Sequence, residues 1–187
     1  MAEARPAATD ASDHPRVVSL REAIPGSVAA AKLFAGQVTV TVPREKIVEV
    51  ARHLKDAEDF KYCVDVTAVD WRDRQPRFDV VYHFYSFSKN DRIRVKLGCA
   101  EGEEVPSIAT TFLAANWSER EVFDLYGIRF AGHPDLRRIV TWDGFKGHPL
   151  RKDFPVEGID TGAAIYPEEY PPGGGPAPDD PNRRTLS

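Results

Sequence analysis

The sequence predicts an α+β fold: a mostly antiparallel sheet of about four to five strands packed by helices, with an irregular, extended C-terminal arm. Three observations predict it. Segments 37–42 and 92–99 alternate apolar and polar residues, the signature of a strand with one buried face. Segment 43–57 repeats its apolar residues at helical spacing. Beyond Pro155, proline and glycine are dense and no period survives.

The elements follow in order. Residues 17–24 read as a short helix and 28–34 as a strand, and "FAG" then turns the chain into the strand "QVTVTV" (37–42). Pro43 suits the first position of the next helix, where its missing N–H costs nothing, and Ile47, Val50, Ala51 and Leu54 form its apolar stripe. Three strands are expected at 62–71, 77–88 and 92–99. The first carries Asp65 and Asp70 among apolar neighbours; in the last, Ile93, Val95, Leu97 and Cys99 face one way and Arg92, Arg94 and Lys96 the other. Such a one-sided sheet needs a helical layer on its apolar face.

A further helix is expected at 106–114, and then a well-specified one in "NWSEREVFDLYG". Ser118 and Glu121 have capping-box spacing, and Trp117 and Val122 are placed as a hydrophobic staple. Glu119 and Glu121 suit the positive end of the helix dipole, Arg120 and Asp124 are spaced for an i,i+4 ion pair, and Gly127 is the expected stop. These roles account for the three acids without general acid–base chemistry.

The chain has 187 residues, 42% hydrophobic and 29% charged, which fits one domain at 17–154 with a flexible leader at 1–16 and a tail at 155–187. The first fifteen residues lack the apolar stretch of a signal peptide, and Glu3, Asp10 and Asp13 are unlike a mitochondrial transit peptide. The expectation is a chain that stays in the compartment where it is made. No apolar run approaches the ~20 residues of a membrane-spanning helix. The tail nevertheless carries Ile159, Ile165, Tyr166 and Tyr170, as an arm that orders against a partner would.

Charge is unevenly spread. The net charge is −4; residues 155–187 hold six acids and two bases, so residues 1–154 sum to zero. Within them a basic strip (Arg129, Arg137, Arg138, Lys146, Arg151, Lys152) runs into the acidic tail. That suits a folded partner of mixed charge and lacks the broad basic footprint of a nucleic-acid binder. The basic face of 92–97 beside an aromatic strand has the look of an RNA-binding sheet, but no RNP-like sequence accompanies it.

Two cysteines, Cys63 and Cys99, are too few for all-cysteine iron–sulfur ligation, and both lie in apolar surroundings that suit buried thiols. Neither a dinucleotide fingerprint nor a P-loop is present. The remaining question is the doubled motif in "GHPDLRRIVTWDGFKGHPLRKDFP" (132–155), where His133-Pro134 leads to Arg137 and Arg138, and His148-Pro149 leads to Arg151 and Lys152. The histidines could ligate a metal with Asp135 or Asp143, although cations surround them. The four cations could instead clamp a phosphate, or carboxylates on a protein partner.

At "EREVFDLYGIRFAGHPDLRRIV" the chain closely resembles the signature of the thirty-kilodalton subunit family of proton-pumping NADH:quinone oxidoreductase, respiratory complex I. Glu119, Arg120 and Glu121 occupy the Glu-Arg-Glu positions, Asp124 the acidic one and His133 the basic one; Arg137 and Arg138 with Ile139-Val140 complete it. "GFKGHPLRKDFP", "DVTAVDW" and "NWSERE" look like further family segments. The likeness covers residues 37–155 and is densest over 116–155.

The resemblance implies a scaffold subunit with no catalytic, cofactor-binding or metal residues of its own, FMN and iron–sulfur clusters being carried by other subunits. It implies packing against the hydrogenase-like subunit of the peripheral arm, no nucleic acid, and membrane contact only through the complex, at the cytoplasmic face of the bacterial inner membrane. The expected docking set is Glu119, Arg120, Glu121, Asp124, His133, Pro134, Arg137, Arg138, His148, Arg151 and Lys152. Two alternatives stand beside it: the equivalent scaffold of a membrane-bound hydrogenase or plastid-type dehydrogenase, and a stand-alone metal-dependent hydrolase using His133 and His148.

Overall fold

The computed structural model describes residues 7–142 and 145–158. The strands are β1 (Thr9–Asp10), β2 (Ala30–Phe34), β3 (Gln37–Thr41), β4 (Tyr62–Asp70), β5 (Phe78–Ser86), β6 (Asp91–Cys99), β7 (Glu104–Pro106) and β8 (Arg129–Ala131). The helices are α1 (Pro15–Ala23), α2 (Ile47–Asp56) and α3 (Ala115–Tyr126). The main sheet has six strands in the order β1-β2-β3-β6-β5-β4, and β7 and β8 form a separate parallel pair.

The alternation read from the sequence positions the core. Val38 and Val40 of β3, Val80, Tyr82 and Phe84 of β5, and Ile93, Val95 and Leu97 of β6 are buried on one face. The stripe Ile47, Val50, Ala51 and Leu54 of α2 is fully buried in the same core, with Val17 and Leu20 of α1 and Ala115 and Val122 of α3. Arg92, Arg94 and Lys96 lie on the opposite face. Within the main sheet the pairing is antiparallel except between β3 and β6, which run parallel with Val38 opposite Ile93. The β2–β3 turn is tight because Ala35 and Gly36 both take positive φ, the hairpin geometry that matches strand twist.

Several expectations are corrected. The fold begins before residue 17: Thr9 and Asp10 pair with Leu33 and Lys32, and α1 starts at Pro15. The main sheet thereby gains a sixth strand. Pro43 is not the first helical residue; its ψ of 141° keeps it extended, a 3-10 turn at Arg44–Lys46 follows, and α2 starts at Ile47. The helix expected at 106–114 is absent, because Val105 and Pro106 pair with Phe130 and Ala131 and Ser107 N–H donates to the Ala131 carbonyl. Single turns then carry the chain into α3.

The capping box is also overturned. α3 begins at Ala115, so Ser118 and Glu121 are interior helix positions and no side chain caps the N-terminus. The preceding turn does that work: Ala115 and Asn116 N–H donate to the carbonyls of Phe112 and Leu113. Trp117 is 64% exposed and staples nothing. Gly127 does end the helix, in the left-handed conformation at φ 76°. The tail beyond residue 158, with its tyrosines, and Asp143 lie outside the described residues.

Candidate functional site

Residues 133–142 and 145–151 run as a strap along α3, pinned by the buried Asp124 and by backbone carbonyls of that helix. Asp124 is fully buried. Its Oδ2 accepts the amides of Ile139, Val140 and Thr141 at 3.0, 2.8 and 2.8 Å, and its Oδ1 accepts Arg138 Nη1 at 2.7 Å and the Thr141 hydroxyl. Burial opposes the charge on Asp124, but the Thr141 hydroxyl and the three amides outweigh it and hold the carboxyl far below the usual range. The expected i,i+4 pair with Arg120 does not form. Arg120 reaches across to the strap instead, Nε to the Arg137 carbonyl at 3.1 Å and Nη2 to that of Arg138 at 3.3 Å.

Glu119 is the other acid that the sequence misplaces. It does not serve the helix dipole; it is fully buried and accepts Ser107 Oγ at 2.5 Å and Ile108 N–H at 2.8 Å, fixing the turn before α3. Burial pushes its carboxyl up to about 7, against the downward pull of those two hydrogen bonds. Glu121 is exposed on the other side of the helix.

The doubled GHP motif has one structural meaning. His133 Nε2 donates to the Asn116 carbonyl at 3.1 Å, while its Nδ1 accepts the Asp135 amide at 3.0 Å. His148 Nδ1 donates to the Asp124 carbonyl at 2.8 Å. Each ring therefore grips a backbone carbonyl of α3, one near each end. Both nitrogens of His133 are spent. Among the described residues no group of three or more His, Cys, Asp or Glu is arranged to hold a metal. Gly127 permits the close approach of the second turn, since a Cβ there would lie 2.5 Å from His148 Nε2.

A second anchor ties the strap to the sheet. Asp70, buried at the end of β4, accepts Arg77 Nε and Nη2 at 2.8 and 2.7 Å and also the Lys152 amide at 2.8 Å. The Arg77 guanidinium holds the Asp70 carboxyl far below its usual range. Arg77 also pairs with Asp153 and Glu101, and Arg151 donates to Glu101 at 2.6 Å and to the Tyr126 carbonyl. The sequence marks Asp70 as a carboxylate among apolar residues but does not connect it, Arg77 or Glu101 to the strap. An isolated acid on a buried strand was the signal.

The expected docking residues thus divide. Asp124, Glu119, Arg120, Arg138, His133, His148 and Arg151 are engaged within the chain. Arg137, Pro134, Glu121 and the Lys152 side chain face outward. Exposed apolar groups on the same two segments, α3 and the strap, are Trp117, Val140 (61% exposed), Trp142 (41%) and Leu150 (48%). Trp142 stacks edge-on to Phe145, and Phe145 on Phe154, so the outward aromatics are themselves supported. No helix among the described residues is long and apolar enough to cross a membrane.

Known proteins resemble this chain. Residues 40–160 match the family described as respiratory-chain NADH dehydrogenase, 30 Kd subunit. A subunit of the NADH-quinone oxidoreductase of Rhodobacter capsulatus is 54% identical over 136 residues, covering 72% of this chain and 68% of that protein. The subunit of the same name from Geobacter sulfurreducens is 45% identical over 152 residues, covering 80% and 94%. Among solved structures, a chain of the membrane-bound sulfane sulfur reductase, an archaeal respiratory membrane complex, superposes with a TM-score of 0.67 at 25% identity over 78% of this chain and 86% of that one.

Proposed function

This chain belongs to the 30 kDa subunit family of respiratory-chain NADH dehydrogenases, and from that premise we propose that it is the thirty-kilodalton scaffold subunit of an NADH-quinone oxidoreductase. On this reading the complex passes electrons from NADH through FMN and iron–sulfur centres on other subunits to quinone and couples that transfer to proton translocation. This chain holds geometry and docks its neighbours, the hydrogenase-like subunit first among them, at the cytoplasmic face of the membrane. It contributes no active site and binds no cofactor itself.

The observation that supports the docking role is the strap: it carries the exposed Val140, Trp142 and Leu150, beside an α3 that exposes Trp117, and the buried Asp124 pins it. Apolar and aromatic groups on a pre-organised support are what an interface core requires, since little ordering cost remains to be met on binding. The donor set is consistent with a cofactor-free chain, because Cys63 and Cys99 are separately buried and burial pushes the Cys63 thiol up to about 12, away from the thiolate a cluster needs.

A second reading, the equivalent subunit of a related respiratory membrane complex, draws on the likeness to the sulfane sulfur reductase chain. Native fractionation of detergent-solubilised membranes separates these. Co-migration with flavin and iron–sulfur subunits and NADH:quinone reductase activity supports the first reading; co-migration without that activity supports the second. Migration as a free monomer contradicts both.

A further inference from the structure

The face of the main sheet opposite the core carries a feature that the strap does not use. Strand register sets Lys32, Thr39, Arg94, His83 and Asp65 in one row across five strands, and Arg92, Tyr85 and Tyr62 in the next. Lys32, Arg92, Arg94 and Lys96 take part in no ion pair among the described residues. Arg94 is held by a 2.8 Å bond to Gln37 Oε1, and Arg92 lies over the Tyr85 ring. A groove of about 380 Å³ opens there, and its lining includes Tyr62, Val64, Tyr85, Phe87, Arg92 and Arg94. Phe87 is 73% exposed and packs against Tyr85 and Tyr62 at 4.8 and 5.7 Å between ring centres.

The geometry points to a second docking site on this face, taking a partner-protein segment in which carboxylates flank an aromatic or aliphatic side chain. The cations supply the charge complement and the aromatic lining supplies the apolar seat. Pre-placement of Arg94 by Gln37 and of Arg92 by Tyr85 lowers the ordering cost of gripping carboxylates. A nucleic acid is disfavoured: the chain carries net charge −4, and Asp65 and Asp79 stand on the same face. The site is separate from the strap and does not depend on which complex the chain joins.

The test places a photo-reactive benzoylphenylalanine at Phe87 of the full chain in native membranes and identifies the peptide attached on irradiation. The expected adduct is a segment of another protein with Asp or Glu beside an aromatic or aliphatic residue. Its yield should fall at least about tenfold in Arg92→Glu/Arg94→Glu and persist in Arg92→Lys/Arg94→Lys. Attachment to residues 159–187 of the same chain, to RNA, to a segment without carboxylates, or to nothing overturns the proposal, as does a yield unmoved by charge reversal. Co-migration with the complex, followed in parallel, reads the strap alone, so failure of one site is distinguishable from failure of the other.

Discussion

Arg138 and Arg151 in the strap and Arg92 and Arg94 on the sheet look interchangeable as sequence, each pair lying among other cations and aromatic residues. In the fold they differ completely. Arg138 meets Asp124 and the Gly147 carbonyl, and Arg151 meets Glu101 and the Tyr126 carbonyl. Arg92 and Arg94 have no carboxylate partner among the described residues, and only a ring and a neutral amide steady them. A cation spent on an acid and a carbonyl of its own chain shapes that chain, whereas an unspent one is available to something else. The signature residues are mostly of the first kind: they pin the strap to α3, which on the proposed reading builds a docking surface more than it touches a partner.

Breaking the spent side should have the largest effect. Asp124→Ala strands the Arg138 guanidinium and three backbone amides, a loss of about 3–5 kcal/mol for a buried, paired charge. Denaturant unfolding should show that loss, and amide exchange at Ile139, Val140 and Thr141 should accelerate; unchanged exchange there would mean Asp124 does not pin the strap.

Glu119 sharpens the comparison because its burial leaves a pH signature. Its folded carboxyl titrates at about 7, above the unfolded value of 4.5. Its contribution is therefore fully present below about pH 4.5 and lost as pH rises towards 7, on the order of 3 kcal/mol in all. Glu119→Gln keeps an acceptor for Ile108 N–H and a donor for Ser107, so it should flatten that decline and be the more stable protein at pH 8. Parallel pH–stability curves for the two would contradict the assignment. Asp124 has the opposite sign: its folded carboxyl is depressed, so its contribution is present above the ordinary carboxylate range and lost in strong acid. The smallest effect belongs to the unspent side. Arg92→Ala should move the stability by no more than about 0.5 kcal/mol, as for an exposed group outside any buried network.

The same division explains what the sequence could and could not say. The strands with alternating burial and the stripe of α2 were legible because period alone decides which face is buried. The parallel pairing of β3 with β6 was not, since it depends on which strands meet after the chain has passed through α2, β4 and β5. Ser118 and Glu121 matched a capping box locally, but turns anchored by buried Ile108 and Phe112 carry the helix start back to Ala115. Tertiary packing supplied the cap. Glu119 and Asp124 read as surface acids because their partners, Ser107 and residues 138–141, are distant in sequence or donate through the backbone, which carries no residue-type signal.

Arg137 and Arg138 offer the most direct test, because they are adjacent, identical in type and assigned opposite fates. Arg137 is exposed and, among the described residues, pairs only with Asp135, an exposed acid two residues away, whereas Arg138 joins the buried Asp124. Thermal unfolding of the full-length chain carrying Arg137→Ala or Arg138→Ala compares them under one condition. The account predicts that Arg137→Ala unfolds like the parent and that Arg138→Ala loses about 2 kcal/mol, the order expected of a charge-assisted bond to a buried carboxylate. Equal behaviour of the two variants would contradict it.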